Sequence, residues 1–322
     1  MKVLVTGVAG FIGFHVADAL LRAGVEVVGI DNLNVYYDPA LKAARLARLE
    51  LYAKFAFVKA DVADRESMQS LTDTYNDLEG VIHLAAQAGV RYSMVDPYSY
   101  VTANVMGQVT VLEACRRLKR LKHVVYASSS SVYGRNERSP FCEHDRVDHP
   151  SSLYAVTKRA AELTSESYAY LYGIPQTGLR FFTVYGPWGR PDMAYYGFAK
   201  AIVEDRPLTL YEGQHLSRDF TYIDDIVRGV LAILEKPPQS STSQVYNLGG
   251  DRPERVVRMI ELLERHLGKT AIIEKRPRPV ADMESTWASL ESVSDFCGWR
   301  PEVSFEEGME KFCVWFKQFH EI

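Results

Sequence analysis

Three glycines three residues apart, Gly7, Gly10 and Gly13, separate a short β-branched run, residues 2–6, from a segment with helical periodicity. This feature constrains the fold most. A strand that passes through glycines directly into a helix brings its backbone close to whatever binds there. It also leaves free N–H groups and a positive dipole end at the helix start, which suit a pyrophosphate. The residues around them, Phe11 and Ile12, belong to the same turn. The next apolar run ends at Asp31, 18 residues after Gly13. A carboxylate there can accept hydrogen bonds from a ribose diol and would repel a 2′-phosphate. The expected ligand is therefore NAD rather than NADP, with Asn32 beside Asp31. Three packing glycines alone would be weak evidence; the strand, helix and acid together are not.

The same alternation continues downstream. Apolar runs at 26–30, 55–60, 80–85, 123–127 and 177–182 read as strands. Helical patterns lie near 14–23, 40–51, 64–74 and 151–172, and a long helix follows Asp96-Pro97. Strands separated by helices imply an α/β, Rossmann-type doubly wound parallel sheet. Asp61 and Val62 follow the third strand, where they can meet an adenine edge. Arg45 and Arg48 read as residues of a solvated helix face. The rest of the chain suggests a smaller α/β unit, with helices near 194–204, 223–235, 253–267 and 305–319 and short strands near 208–210, 218–222, 244–247 and 271–275. The expected division is 1–185 plus about 220–247 for the nucleotide, and 186–219 with 248–322 for the substrate.

Composition narrows the function. The 322 residues carry a net charge of −4 with both signs dispersed, so no basic tract points to nucleic acid. Cys115, Cys142, Cys297 and Cys313 lack metal or CxxC spacing, the eight histidines are scattered, and no metal site is expected. The apolar N-terminus is interrupted by Gly7 and Gly10, unlike a signal peptide, and no run reaches the ~20 residues of a membrane span. The expectation is a soluble, cytoplasmic protein without a membrane partner.

The chemistry is carried by Tyr154 and Lys158, four residues apart on one helical face. A tyrosine beside an ammonium can exchange a proton with a hydroxyl as hydride leaves the same carbon. Alone, YxxxK is common. Here it follows a dinucleotide pattern and the run "ASSSSVYG" at 127–134. This combination resembles the extended short-chain dehydrogenase/reductase superfamily over almost the whole chain. The resemblance implies a Ser-Tyr-Lys triad of Ser129, Tyr154 and Lys158. It also implies cofactor contacts from Leu84, Ala85 and Ala86 of "HLAAQAG" and from Asn104. Sugar-nucleotide dehydratases of this superfamily carry an Asp-Glu pair immediately before "VYG", and related decarboxylases a Glu. Here Ser130 and Ser131 stand there, and a hydroxyl cannot do carboxylate acid/base work. The pattern is similar to a 4-epimerase, which oxidises and re-reduces one carbon.

"LRFFTVYGPWGRPDMA" (179–194), "DNLNVYYDPALKAARLARL" (31–49) and "DHPSSLYAVTK" (148–158) look like UDP-glucuronate 4-epimerases. The implied substrate is a UDP-sugar whose C6 carboxylate pairs with Arg190, supported by Thr183. Arg190 as a loop arginine in a structural ion pair is the competing reading. Arg218 of "SRDFTYIDD" and Arg278 with Asp282 are implied diphosphate or uridine contacts, and Arg91 is a further candidate. At 280–289 the chain departs from the family's usual pattern. The resemblance implies a homodimer through helices near 97–119 and 151–172. Alternatives are a UDP-galactose-type epimerase, a UDP-glucuronate decarboxylase, and a non-catalytic NAD-binding regulator.

Overall fold

The computed structural model describes residues 1–211, 216–239, 242–277 and 285–322. Seven strands form one sheet: β1 (Lys2–Thr6), β2 (Glu26–Asp31), β3 (Phe55–Lys59), β4 (Gly80–His83), β5 (His123–Ser129), β6 (Gln176–Phe181) and β7 (Ser243–Leu248). Their order is β7-β6-β5-β4-β1-β2-β3, and every pairing is parallel. β7 comes from late in the chain and pairs Leu248 with Phe181. Parallel strands need crossovers, supplied by α1 (Phe11–Arg22), α2 (Pro39–Leu49), α3 (Arg65–Thr74), α4 (Gly107–Cys115), α5 (Leu153–Tyr172) and α6 (Ile223–Leu234).

Strand alternation decides which helix covers which face. Val3 and Val5 join one core with Phe14, Val16 and Ile226 of α1 and α6. Leu4, Val28 and Ile30 join a second core with Met68, Leu71, Val111 and Leu112 of α3 and α4. Both faces are thereby buried, as continuous β-branched runs demand.

Several local expectations are modified. α1 begins at Phe11 directly after Gly10, three residues before the expected start. The helix after Asp96-Pro97 is regular over Pro97–Tyr100, widens into a π-turn over Val101–Met106, and resumes as α4. The π-turn contains the buried Asn104, and such turns re-aim a side chain out of the helical register. The 253–267 segment splits: Pro253–Arg255 pairs antiparallel with Ser217–Asp219, and the helix spans Val256–Leu267. Arg45 is not solvated. It is fully buried and donates to the carbonyls of Ala9, Trp188 and Gly189 and to the Tyr37 hydroxyl. Three main-chain acceptors from separate loops converge on one inward turn of α2, where a guanidinium can satisfy them all. Arg48 stays exposed, with its guanidinium 4.7 Å from the Trp188 ring centroid.

Outside the seven-stranded sheet lie a three-stranded sheet (Thr183–Tyr185, Ser217–Tyr222, Pro253–Arg255) and the parallel pair Pro207–Tyr211 with Ile272–Arg276. Helices Ala194–Val203, Val256–Leu267 and Phe305–His320 cover them through an aromatic core that includes Tyr185, Tyr195, Phe312 and Phe316. Among the described residues, no helix is long and apolar enough to cross a membrane.

Candidate active site

The cleft lies at the carboxyl ends of β1, β2, β4 and β5, where the sheet order reverses around β1 and crossovers leave to opposite faces. Gly7, Gly10, Phe11, Ile12 and Gly13 form its floor. Gly7 has φ +69°, and a Cβ there would lie 2.7 Å from the Ala85 nitrogen. A Cβ on Gly13 would collide with the Gly7 carbonyl. The turn is thus tight enough that only glycine fits, and it exposes the first turn of α1 to the cleft. Asp31 is buried and accepts from the amides of Ala9 and Leu33 at 3.2 and 2.8 Å. Asn32 donates to Asp61 at 2.8 Å, so the ends of β2 and β3 are tied together at the wall, with Val62 beside them. Leu84, Ala85 and Ala86 line the opposite wall. The Thr6 hydroxyl holds them by accepting from the Leu84 and Ala85 amides while bonding His83 Nδ1 at 2.7 Å.

One cation at this end was not anticipated. Lys42 is 5% exposed, lines the cleft, and places Nζ 3.6 Å from Asp31 Oδ1. Its signal was present: it precedes Arg45 by three residues, which puts both on the inward face of α2. Asp31 therefore presents a partly compensated charge.

At the other end, Ser129, Tyr154 and Lys158 line the same cleft. α5 is capped by Ser152, whose Oγ accepts from the Ala155 amide, so Tyr154 and Lys158 sit in its first two turns. Lys158 donates to the Ala127 carbonyl at 2.8 Å. Burial, reinforced by the charge of Arg190, lowers its ammonium to about 8, with Glu162 opposing. Burial also raises the Tyr154 phenol, while the nearby Ser129 hydroxyl and the charge of Arg190 draw it down. The Lys158 ammonium lies 6.0 Å from the Tyr154 ring centroid.

The four serines have separate duties. Ser128 donates to Glu162 Oε1 at 2.6 Å, and Glu162 pairs with Arg180 through Nε at 2.8 Å and Nη2 at 3.0 Å. Ser129 Oγ donates to Ser131 Oγ and accepts from its amide, both at 3.2 Å, capping the 3₁₀ turn Ser130–Tyr133. Ser130 and Ser131 adjoin the cleft without lining it.

Arg190 lines the cleft near Tyr154 but is not a lone cation: it is paired with Asp192. Thr183, half-buried, stands at the cleft edge between Phe182 and Val184, which both line it. Asn104 is outside the lining. Its carbonyl accepts from the Gln87 amide at 2.8 Å, and its nitrogen donates to Gln87 O and Thr157 Oγ1 at 3.0 Å each. These bonds tie Asn104 and the π-turn to the cleft wall at Gln87. Arg91 is exposed, with its guanidinium 5.2 Å from the Tyr211 ring centroid, and Arg218 donates to Ser217 O at 2.8 Å; neither lines the cleft. Arg278 and Asp282 lie outside the described residues. Tyr36, Gln87 and Met193 line the cleft unanticipated.

Sheet order, glycine cradle and cleft define a dinucleotide-binding α/β protein of the Rossmann type. The sequence profile of the NAD dependent epimerase/dehydratase family matches residues 3–249. The chain belongs to that family, and its cofactor is NAD. It is 44% identical to UDP-glucuronate 4-epimerase 1 of Arabidopsis thaliana, over 99% of this chain and 77% of that protein. The structure of UDP-glucuronic acid 4-epimerase from Bacillus cereus, in complex with UDP-glucuronic acid and NAD, is similar at TM-score 0.91 and 38% identity, over 99% of this chain and 100% of that one. UDP-glucose 4-epimerase from Thermotoga maritima superposes at TM-score 0.89 but is 29% identical, over 99% and 100%.

Proposed function

We propose that this enzyme interconverts UDP-glucuronate and UDP-galacturonate by oxidising and re-reducing C4. The observation that carries the reading is the convergence of Arg190 with Ser129, Tyr154 and Lys158 on one cleft, with no carboxylate at positions 130 and 131. NAD supplies the hydride acceptor and donor. The glycine cradle, Asp31 and the Leu84–Ala86 wall would hold it, and Lys158 would fix its ribose beside the tyrosine. Tyr154 takes the proton of the C4 hydroxyl as the ketone forms and returns it on reduction, so no net proton is consumed. Ser129 turns its hydroxyl from Ser131 to the reacting oxygen.

The ketone is a β-keto acid, which loses CO₂ readily. Arg190 grips the C6 carboxylate and holds it where that loss is slow. Serines at 130 and 131 offer no acid or base for elimination. We assign the substrate to the unit of 186–219 and 248–322, and the cofactor to 1–185 with 220–247. A homodimer would cover the apolar side chains exposed along Pro97–Met106 and α5, among them Tyr98 (82%), Val101 (48%), Val156 (44%) and Leu163 (56%). The free cysteines accord with a cytoplasmic location.

The test is incubation of the purified protein with UDP-glucuronate, with products followed by NMR. Galacturonate signals are expected. Pentose signals would reassign the enzyme as a decarboxylase, and turnover of UDP-galactose alone would make it a neutral-sugar epimerase. Arg190→Leu should abolish uronate turnover while retaining NAD.

A further inference from the structure

Arg190 is held by one edge. Its Nε donates to Asp192 Oδ1 at 3.0 Å and its Nη2 to Asp192 Oδ2. Asp192 Oδ2 also accepts from the Tyr36 hydroxyl at 3.2 Å. The two charged side chains are only 21% and 26% exposed, so water screens the pair weakly. Nη1 and the second Nη2 hydrogen have no partner among the described residues, and Arg190 lines the cleft. A guanidinium has two hydrogen-bonding edges, and here one remains for a second carboxylate.

The room for this arrangement comes from Gly89, at φ +102°. A Cβ there would lie 2.7 Å from the Tyr36 hydroxyl oxygen and 3.6 Å from Asp192 Oδ2. The Tyr36–Asp192–Arg190 chain is thus packed against the backbone of the β4 loop, and its geometry is set before any ligand arrives.

A lone buried guanidinium would hold a sugar acid by a full charge and two hydrogen bonds. Such a grip opposes the chemistry, because the sugar must present its other face before hydride returns. A guanidinium already paired with Asp192 attracts a second carboxylate less strongly. We propose that Asp192 is a positioning residue that aims the free edge of Arg190 at the sugar-acid carboxylate and weakens that grip enough for the sugar to turn. This rests on the functional reading above.

Asp192→Asn keeps one acceptor for Arg190, and hence its orientation, but removes the competing charge. The experiment measures dissociation constants of UDP-glucuronate and UDP-glucose by calorimetry on the NAD-loaded protein, together with kcat and KM for the uronate. Relative to UDP-glucose, UDP-glucuronate should bind about fivefold tighter or more in the variant, while kcat falls. Tyr36→Phe leaves Asp192 to Arg190 alone, and should shift the same ratio about twofold in the opposite direction. That variant keeps the question open to test if Asp192→Asn loses its NAD. An unchanged ratio, or a uronate preference that falls in Asp192→Asn, overturns the proposal. Failure of the functional reading looks different: the wild-type protein itself would show no preference for the uronate and make no galacturonate.

Discussion

The charged network that ties the catalytic helix α5 to β6 should be one of the most sensitive points in the protein. Glu162 and Arg180 are 2% and 3% exposed, and they meet by two parallel hydrogen bonds. Glu162 also accepts from Ser128 and, at 2.9 Å, from the half-buried Arg159. Glu162→Gln removes the charge and leaves the Arg180 guanidinium inside. Breaking one side of a buried pair costs about 3–5 kcal/mol. The low end applies, because Arg180 retains the Glu143 carbonyl at 3.2 Å and lies 4.8 Å from the Tyr133 ring centroid. At roughly 2 °C per kcal/mol for a chain of this size, Tm should fall by about 6 °C. Differential scanning fluorimetry of the NAD-loaded protein reads this directly. Glu162→Gln combined with Arg180→Met should recover more than half of the loss, because the orphaned charge goes too. A single-variant shift under about 2 °C, or strictly additive effects, would refute the claim that the pair is mutually dependent.

Three further outcomes follow from the same geometry. Gly13→Ala forces a methyl against the Gly7 carbonyl, so the variant should be isolated with under about a tenth of the wild-type NAD content, read by absorbance after acid release; stoichiometric NAD would contradict the cradle. Lys158, lowered to about 8, should give a kcat that declines as pH rises through that value. Glu162→Gln removes the charge that opposes this lowering, so the alkaline limb should move to lower pH; a move upward would be inconsistent. Asp219 is fully buried, and burial raises it from 3.8 to about 6. The folded state then binds the proton more tightly than the unfolded state, so this residue's contribution to stability falls as pH rises between those values, by about 3 kcal/mol. In urea melts across that window, Asp219→Asn should gain on the wild type as pH rises; a constant difference would show that the carboxylate does not titrate there.

The parallel sheet and the nucleotide end of the cleft were legible in the residues themselves. Gly7, Gly10, Gly13 and Asp31 act through backbone conformation and through position at the end of a strand, and both follow from local order along the chain. Tyr154 and Lys158 were legible for a similar reason, since a four-residue spacing fixes their common helical face. Burial contradicted one local reading. Arg45 reads as a surface residue because its three carbonyl partners lie 36 and more residues away. Arg190 was identified by its charge, yet nothing in "WGRPDM" says that Asp192 folds back to take one edge or that Tyr36, 156 residues away, completes the chain. Local pattern determined the elements and their chemistry. Only the tertiary structure decided which charges neutralise one another, because desolvation and pairing depend on what long-range packing brings within a few ångströms.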